Sequence, residues 1–364
     1  MKEPHLTLDQ KVGQLFVLGF PGREPYDETC ALLDVIQPAG FLLYQRNIEN
    51  FDQIYSLTNR LREMSALPPL IGIDHEGGRV DRLKHIFTTM PSLKDLSQAS
   101  IAQLRAGARI IAAELGATGF NLDFAPVADL YQPGSIMSER CFSTAPAEVV
   151  RMALACTEEL SRRGILTCAK HFPGLGAATV DPHFSLPRID RTKRQLMQED
   201  VTPFVKLLGN ADMLMISHAN YGAFTDEKPL PASLSPRVVD GLLRKKLGYR
   251  GLTITDDLTM GAITSVGLTP DTFLQAFEAG NDLLLFSQTT PLVERGFRTI
   301  LAAARKSAAL RQRVDESVER ILTLKDRMRF VPLRYRAQVK ARIIRQIEKL
   351  RRSLVEVESP AVTV

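Results

Sequence analysis

The chain has 364 residues, 45% of them hydrophobic, and a formal net charge of +5. That length and apolar content suit one large core, within the range of a single α/β barrel. No run of 18 or more apolar residues appears and the start MKEPHLTLDQKVGQ lacks the apolar core of a signal peptide, so neither a membrane span nor export is expected.

The charge is local. Residues 331–364 carry eight Lys or Arg against three Glu, while residues 1–330 balance at 38 of each sign. No basic stripe with interleaved aromatics precedes the tail, which argues against nucleic-acid binding. Cys30, Cys141, Cys156 and Cys168 form no CxxC pair, a pattern that fits reduced packing thiols in a cytoplasmic protein better than disulfides or zinc.

In chain order, apolar strand-like runs recur at 14–20, 39–44, 69–74, 120–130, 164–170, 211–220, 251–260 and 281–287. Helical patterns separate them, such as 101–119 and 147–164, each closing on a glycine suited to a helix end, and 194–210. Eight near-continuously apolar strands alternating with helices predict a parallel sheet closed into a (β/α)8 TIM-type barrel over residues 1–330. From Thr289 to Arg329 the pattern is helical, and Pro332 marks a break. Beyond it, Val339, Ile343, Ile347, Leu350 and Leu354 make an apolar stripe with bases on the other sides. Residues 331–364 are therefore expected to be a basic amphipathic helical tail that packs on the barrel, or contacts another subunit or a membrane surface. The final residues, ESPAVTV, carry no structural signal.

Polar residues cluster where the strands end. Asp74-His75-Glu76, Asp129, Lys170-His171, Ser217-His218-Asn220 and Thr255-Asp256-Asp257 all stand at or just past carboxyl ends, the active-site face of such barrels. Singly, each is an ordinary helix cap or turn former; five together at one face ask for another reason. After Lys170-His171 a Phe-Pro-Gly loop leads to Asp181-Pro182-His183. A carboxylate two residues from an imidazole can hold one ring nitrogen, fix the tautomer and build a positioned acid/base.

Three readings remain open at this point. One is glycosyl transfer to water, with an aspartate nucleophile and a separate acid/base. Another is a metal hydrolase using His171, His183, His218, Lys170 and Asp256. Against it, the stretch 14–22 after the first strand holds no His-x-His pair. The third is a binding barrel without catalysis. Nucleotide binding is not indicated, since neither Glu76-Gly77-Gly78-Arg79 nor KHFPGLG has a phosphate-loop pattern.

The segments IDHEGGRVDR (73–82), ERCF (139–142), KHFPGLG (170–176), DPH (181–183) and TDDLTM (255–260) resemble the signature series of glycoside hydrolase family 3, in its single-domain β-N-acetylhexosaminidase branch. The resemblance runs from about Leu6 to Arg329. It implies a retaining enzyme that removes terminal N-acetylglucosamine through a covalent glycosyl-aspartate, without cofactor or metal, in cytoplasmic peptidoglycan recycling on a saccharide or muropeptide. It casts Asp256 as nucleophile, His183 as acid/base and Asp181 as its orienting partner. Asp74, Arg82, Arg140, Lys170 and His171 are cast as sugar-binding residues, and Asp257 receives no chemical role. A phosphorylase or another family 3 β-glycosidase is the near alternative, because a neutral imidazole would not repel an incoming phosphate. The chain departs from the family where Leu175 replaces a common His and Pro182 a common Ser, and it contains no Trp.

Overall fold

A computed structural model of the chain describes residues 6–224, 229–328 and 336–358. Eight strands pair in parallel and in sequence order around a closed barrel: β1 (Phe16–Leu18), β2 (Gly40–Leu42), β3 (Leu70–Ile73), β4 (Leu122–Asp123), β5 (Leu166–Phe172), β6 (Met213–Ile216), β7 (Leu252–Asp257) and β8 (Leu283–Phe286). β8 returns to β1 through Phe16–Leu284 and Leu18–Phe286 partners. All eight apolar runs thus become strands. Each is buried nearly throughout, because helices cover the barrel outside and side chains fill it inside. At the closure, Phe16 stacks on Phe286 with centroids 5.6 Å apart, a contact worth more than its buried area alone.

The run 120–130 yields only two strand residues, since Pro126 follows Ala125 and offers no N–H to the ladder. Past that proline, Val127 still bridges to Lys170. The helix Ile101–Thr118 starts on Ser100, whose hydroxyl accepts from the Gln103 N–H, and ends on Gly119 at φ 86°. The pattern over 194–210 is not one regular helix: Lys193–Gln195 is helical, Leu196–Asp200 is a π-turn, and Thr202–Leu207 resumes. The helical stretch after residue 289 divides at Ser307 into Pro291–Lys306 and Ala308–Lys325, with Ser307 capping the second. Phe330 and Pro332 lie outside the described residues, as does the chain from Ser359 onward.

The tail forms the helix Arg336–Glu358. Ile343, Ile347 and Leu350 are buried in the main core cluster, with Val339 and Leu354 partly buried beside them. The helix lies against Ile101–Thr118 and Leu93–Ala99, and Gln103 Nε2 donates to the Ser353 carbonyl at 3.2 Å. Its apolar stripe is thus used on the barrel wall, and Arg342, Arg345, Lys349, Arg351 and Arg352 face outward.

Candidate active site

β7 carries two adjacent aspartates to the barrel mouth, and alternation along the strand sends them different ways. Asp257 Oδ1 accepts from the Thr259 N–H (2.9 Å), the Thr259 hydroxyl (2.8 Å) and the Ser287 N–H (3.1 Å), so it ties the end of β7 to β8. Asp256 is half-buried and accepts from the Asp257 N–H at 2.8 Å. Burial alone would raise its carboxyl; the nearby rings of His218, His171 and His183, with that N–H, outweigh burial and hold it below the usual carboxylate range. His218 itself is kept from charging by burial, so its help is that of an oriented neutral ring. Its Nε2 lies 2.9 Å from the Asp257 carbonyl, which only accepts; Nε2 therefore carries the hydrogen, and Nδ1 accepts from Ser233 Oγ at 2.7 Å.

Beside Asp256, β3 and β5 supply a buried ion network. Lys170, 1% exposed, places Nζ 2.5 Å from Asp74 Oδ1 and 2.8 Å from Glu76 Oε1. Arg140 grips Glu76 with two prongs, Nε at 2.9 Å and Nη2 at 2.7 Å. Despite burial, the two cations hold the Glu76 carboxyl far below its usual range, and the two carboxylates push the Lys170 ammonium up. Both stay charged at any working pH. His171 is fixed through Asp129, which lies 2.7 Å from its Nδ1 and accepts from the Leu175 N–H at 2.7 Å as well. Nδ1 of His171 is thus engaged by a carboxylate.

Arg82 places its guanidinium 6.0 Å from the Tyr44 ring, and among the described residues its buried Nε meets no acceptor. Arg46 covers the same ring at 4.4 Å. Burial first, then the charges of Asp257, Asp74 and Asp256, push the Tyr44 phenol well up, which keeps it protonated as a donor near Asp256.

Asp181 and His183 sit on the long loop after β5. Asp181 Oδ1 accepts from the His183 N–H at 2.9 Å and lies 2.7 Å from His183 Nδ1. Burial opposes ionisation of Asp181, but these bonds and the ring prevail and hold the carboxyl below the usual range. His183 is 69% exposed on its side chain, and the adjacent Phe184 is 82% exposed. The loop is not adrift: its carbonyls at Pro182 and His183 accept from Ala262 and Gly261, the first residues of the helix after β7.

All eight residues singled out from the sequence therefore gather at one mouth. Lys170 and Asp74 touch directly, Arg140 joins them through Glu76, and Asp181 with His183 forms a separate pair facing β7. Glu76, Asp129, Tyr44 and Ser233 were given no role from the sequence, and His218 was considered only as a metal ligand. Glu76 and Asp129 stand in the strand-end clusters already noted, but which cation each would meet is a long-range fact. Of the histidines proposed for a metal, His171 and His183 each have Nδ1 on a carboxylate and His218 has both ring nitrogens bonded, and among the described residues no three His, Cys, Asp or Glu gather as a cage.

A parallel barrel with an ionised carboxylate at the end of β7 and a carboxylate-oriented imidazole on the adjoining loop has the parts of a hydrolase working by covalent catalysis. The profile described as "Glycosyl hydrolase family 3 N terminal domain" matches residues 7–324, and the chain belongs to that family. It is 32% identical over 274 residues to a beta-hexosaminidase of Idiomarina loihiensis, spanning 74% of this chain and 82% of that protein. With a beta-hexosaminidase of Neisseria gonorrhoeae it shares 34% over 279 residues, 74% of this chain and 76% of that one. The solved family 3 beta-N-acetylglucosaminidase from Paenibacillus sp. str. FPU-7 superposes with a TM-score of 0.84 at 34% identity, covering 93% of this chain and 68% of the other.

Proposed function

We propose that this barrel is a retaining β-N-acetylhexosaminidase that removes terminal N-acetylglucosamine. The observation that carries the reading is the Asp181–His183 pair: its Nδ1 is committed to Asp181 while the ring stands open at the mouth, beside the helix after Asp256. In the first step the Asp256 carboxylate bonds to the anomeric carbon as the glycosidic C–O bond breaks, and His183 gives its Nε2 proton to the departing oxygen. In the second, neutral His183 takes a proton from water, the water oxygen bonds to the anomeric carbon, and the ester to Asp256 breaks. Two inversions give net retention. Asp74, Lys170, Arg140, Arg82 and His171 hold the sugar hydroxyls and the acetamide.

The names of the relatives support the N-acetylhexosaminide as substrate. For the rest of the molecule, we read a GlcNAc-capped muropeptide, met in the cytoplasm during peptidoglycan turnover, as the natural substrate. The free thiols of all four cysteines support a reducing compartment, and no helix among the described residues is long and apolar enough to cross a membrane. The tail, with Ile343, Ile347 and Leu350 turned inward, offers a partner subunit or an anionic surface the bases Arg342, Arg345, Lys349, Arg351 and Arg352.

The test compares p-nitrophenyl N-acetylglucosaminide with the glucoside, each with and without phosphate and with EDTA. Rapid release from the N-acetylglucosaminide alone, indifferent to both additions, is expected. Equal rates on the glucoside would sink the sugar assignment, a phosphate requirement would make the enzyme a phosphorylase, and loss with EDTA would revive the metal reading.

A further inference from the structure

We infer that Asp200 and Arg191 form a clamp that holds both ends of the 174–190 loop and thereby sets the position of His183, an inference resting on the reading of His183 as proton donor. At the loop's entry, Gly174 has φ 127° and lies so close to Asp200 that a Cβ there would come 2.7 Å from Asp200 Cβ. The carbonyl of Gly174 accepts from the Tyr221 hydroxyl at 2.9 Å, which fixes that end from above. At the exit, Arg191 Nε lies 2.7 Å from Asp200 Oδ2, and the same guanidinium pairs with Glu199. One buried side chain therefore meets the first residue of the loop with its Cβ and the residue just past its end with its carboxylate.

Two features mark this contact as more than a surface ion pair. Asp200 is fully buried, and among the described residues neither of its oxygens has a well-aligned hydrogen-bond donor, so Arg191 is what compensates its charge. Asp200 also ends the π-turn, where the Val201 N–H bonds to Leu196 O five residues back. A π-turn carries one residue more than an α-turn and re-aims the residues after it, a device frequent at functional sites. Here it turns Asp200 inward beneath the loop.

Asp200 touches no reacting atom and is a positioning residue. If it sets His183, its loss must hurt substrates that need a proton on the leaving oxygen and spare aryl glycosides that do not. The experiment measures kcat and KM for the full chain and for Asp200→Asn, Arg191→Lys and His183→Ala. The substrates are p-nitrophenyl N-acetylglucosaminide and an N-acetylglucosaminide of an unactivated alcohol. Asp200→Asn is expected to lower kcat on the unactivated substrate about 10- to 100-fold, as a misplacement of about 1 Å does, with KM and the aryl rate nearly unchanged. Arg191→Lys keeps the charge but loses the second prong, and shows the same split at smaller size; it carries the test from the other member of the pair if Asp200→Asn does not fold. A uniform loss on both substrates, or none, overturns the clamp provided His183→Ala shows the split. No split in His183→Ala overturns the acid/base reading instead, and the clamp with it.

Discussion

Gly261 donates its N–H to the carbonyl of His183 at 3.1 Å, and only a glycine allows that approach: a Cβ at 261 would stand 2.5 Å from His183 O. The helix after β7 is in this way also the seat of the loop that carries Asp181 and His183. Two residues 78 apart in sequence are held to one another by backbone rather than by side chains, so the distance from His183 to Asp256 follows from the barrel itself.

Gly261→Ala should therefore push the loop off its seat without disturbing β7. Turnover of substrates with poor leaving groups is expected to fall about 10-fold or more, with the melting temperature close to that of the parent. A crystal structure or hydrogen-exchange measurement showing the loop in place would contradict this, as would unchanged turnover.

Asp256→Ala should reduce kcat by about a thousandfold or more while the protein stays folded, and a 2-fluoro sugar should label Asp256 in the parent. Because the carboxyl is held below its usual range, Asp256 remains ionised as pH falls, and the acid limb of kcat/KM from this group should lie below the ordinary aspartate range. Label on another residue, found by peptide mass mapping, would overturn the assignment.

Glu76 joins Arg140 to Lys170, so Glu76→Gln leaves a buried ammonium with Asp74 alone. Breaking such a network costs about 3 kcal/mol. The substitution is expected to lower the urea midpoint and to raise KM about tenfold, with a smaller change in kcat. Wild-type KM in a folded variant would show that the sugar grip does not depend on this carboxylate.

Behind β3, the buried His75 lies 3.1 Å from Glu114 Oε2. Burial opposes its charge, but the bond and charge of Glu114, with Asp81 and Asp123, outweigh it and raise the ring to about 9. The folded value exceeds the unfolded one, so the stabilisation is complete below about 6.5 and is lost as pH rises through about 9. Over that window it amounts to about 3 kcal/mol. Denaturation midpoints at pH 6, 7.5 and 9.5 should fall in the parent and change less in Glu114→Gln; a flat parent profile would exclude the coupling.

Truncation after Phe330 removes Ile343, Ile347 and Leu350 from the core, a loss of at most about 9 kcal/mol by buried area. The melting temperature should drop while KM is retained, since every site residue precedes the cut. Binding of the intact chain to anionic vesicles, tested by co-sedimentation at low and high salt, reports separately on the outward bases; salt-insensitive binding would require apolar insertion that the packed stripe does not allow.

The barrel was legible because its strands are buried on both faces and so read as apolar runs, and because polar residues could gather only where those runs stop. The positions of Asp256, His183 and Lys170 at the mouth were legible for the same reason, these being polar groups at strand ends or on a Gly-Pro loop. Pairings were not. Arg140 meets Glu76 across 64 positions and His171 meets Asp129 across 42, and nothing local to either member names the other. The shortening of β4 had a local sign in Pro126, whereas the π-turn at Leu196–Asp200 has none, since the same residues fill an ordinary helix equally well.

The packing of the Arg336–Glu358 helix on Ile101–Thr118 bears on the order in which the molecule is made. Gln103 and Ser353 are 250 positions apart, and β1 cannot find β8 until Phe286 has left the ribosome. For most of synthesis, then, the nascent polypeptide must carry an unsealed sheet edge and an uncovered helix wall, two surfaces on which a chaperone has something to hold. The helix Arg336–Glu358, made after β8, is the one that covers that wall.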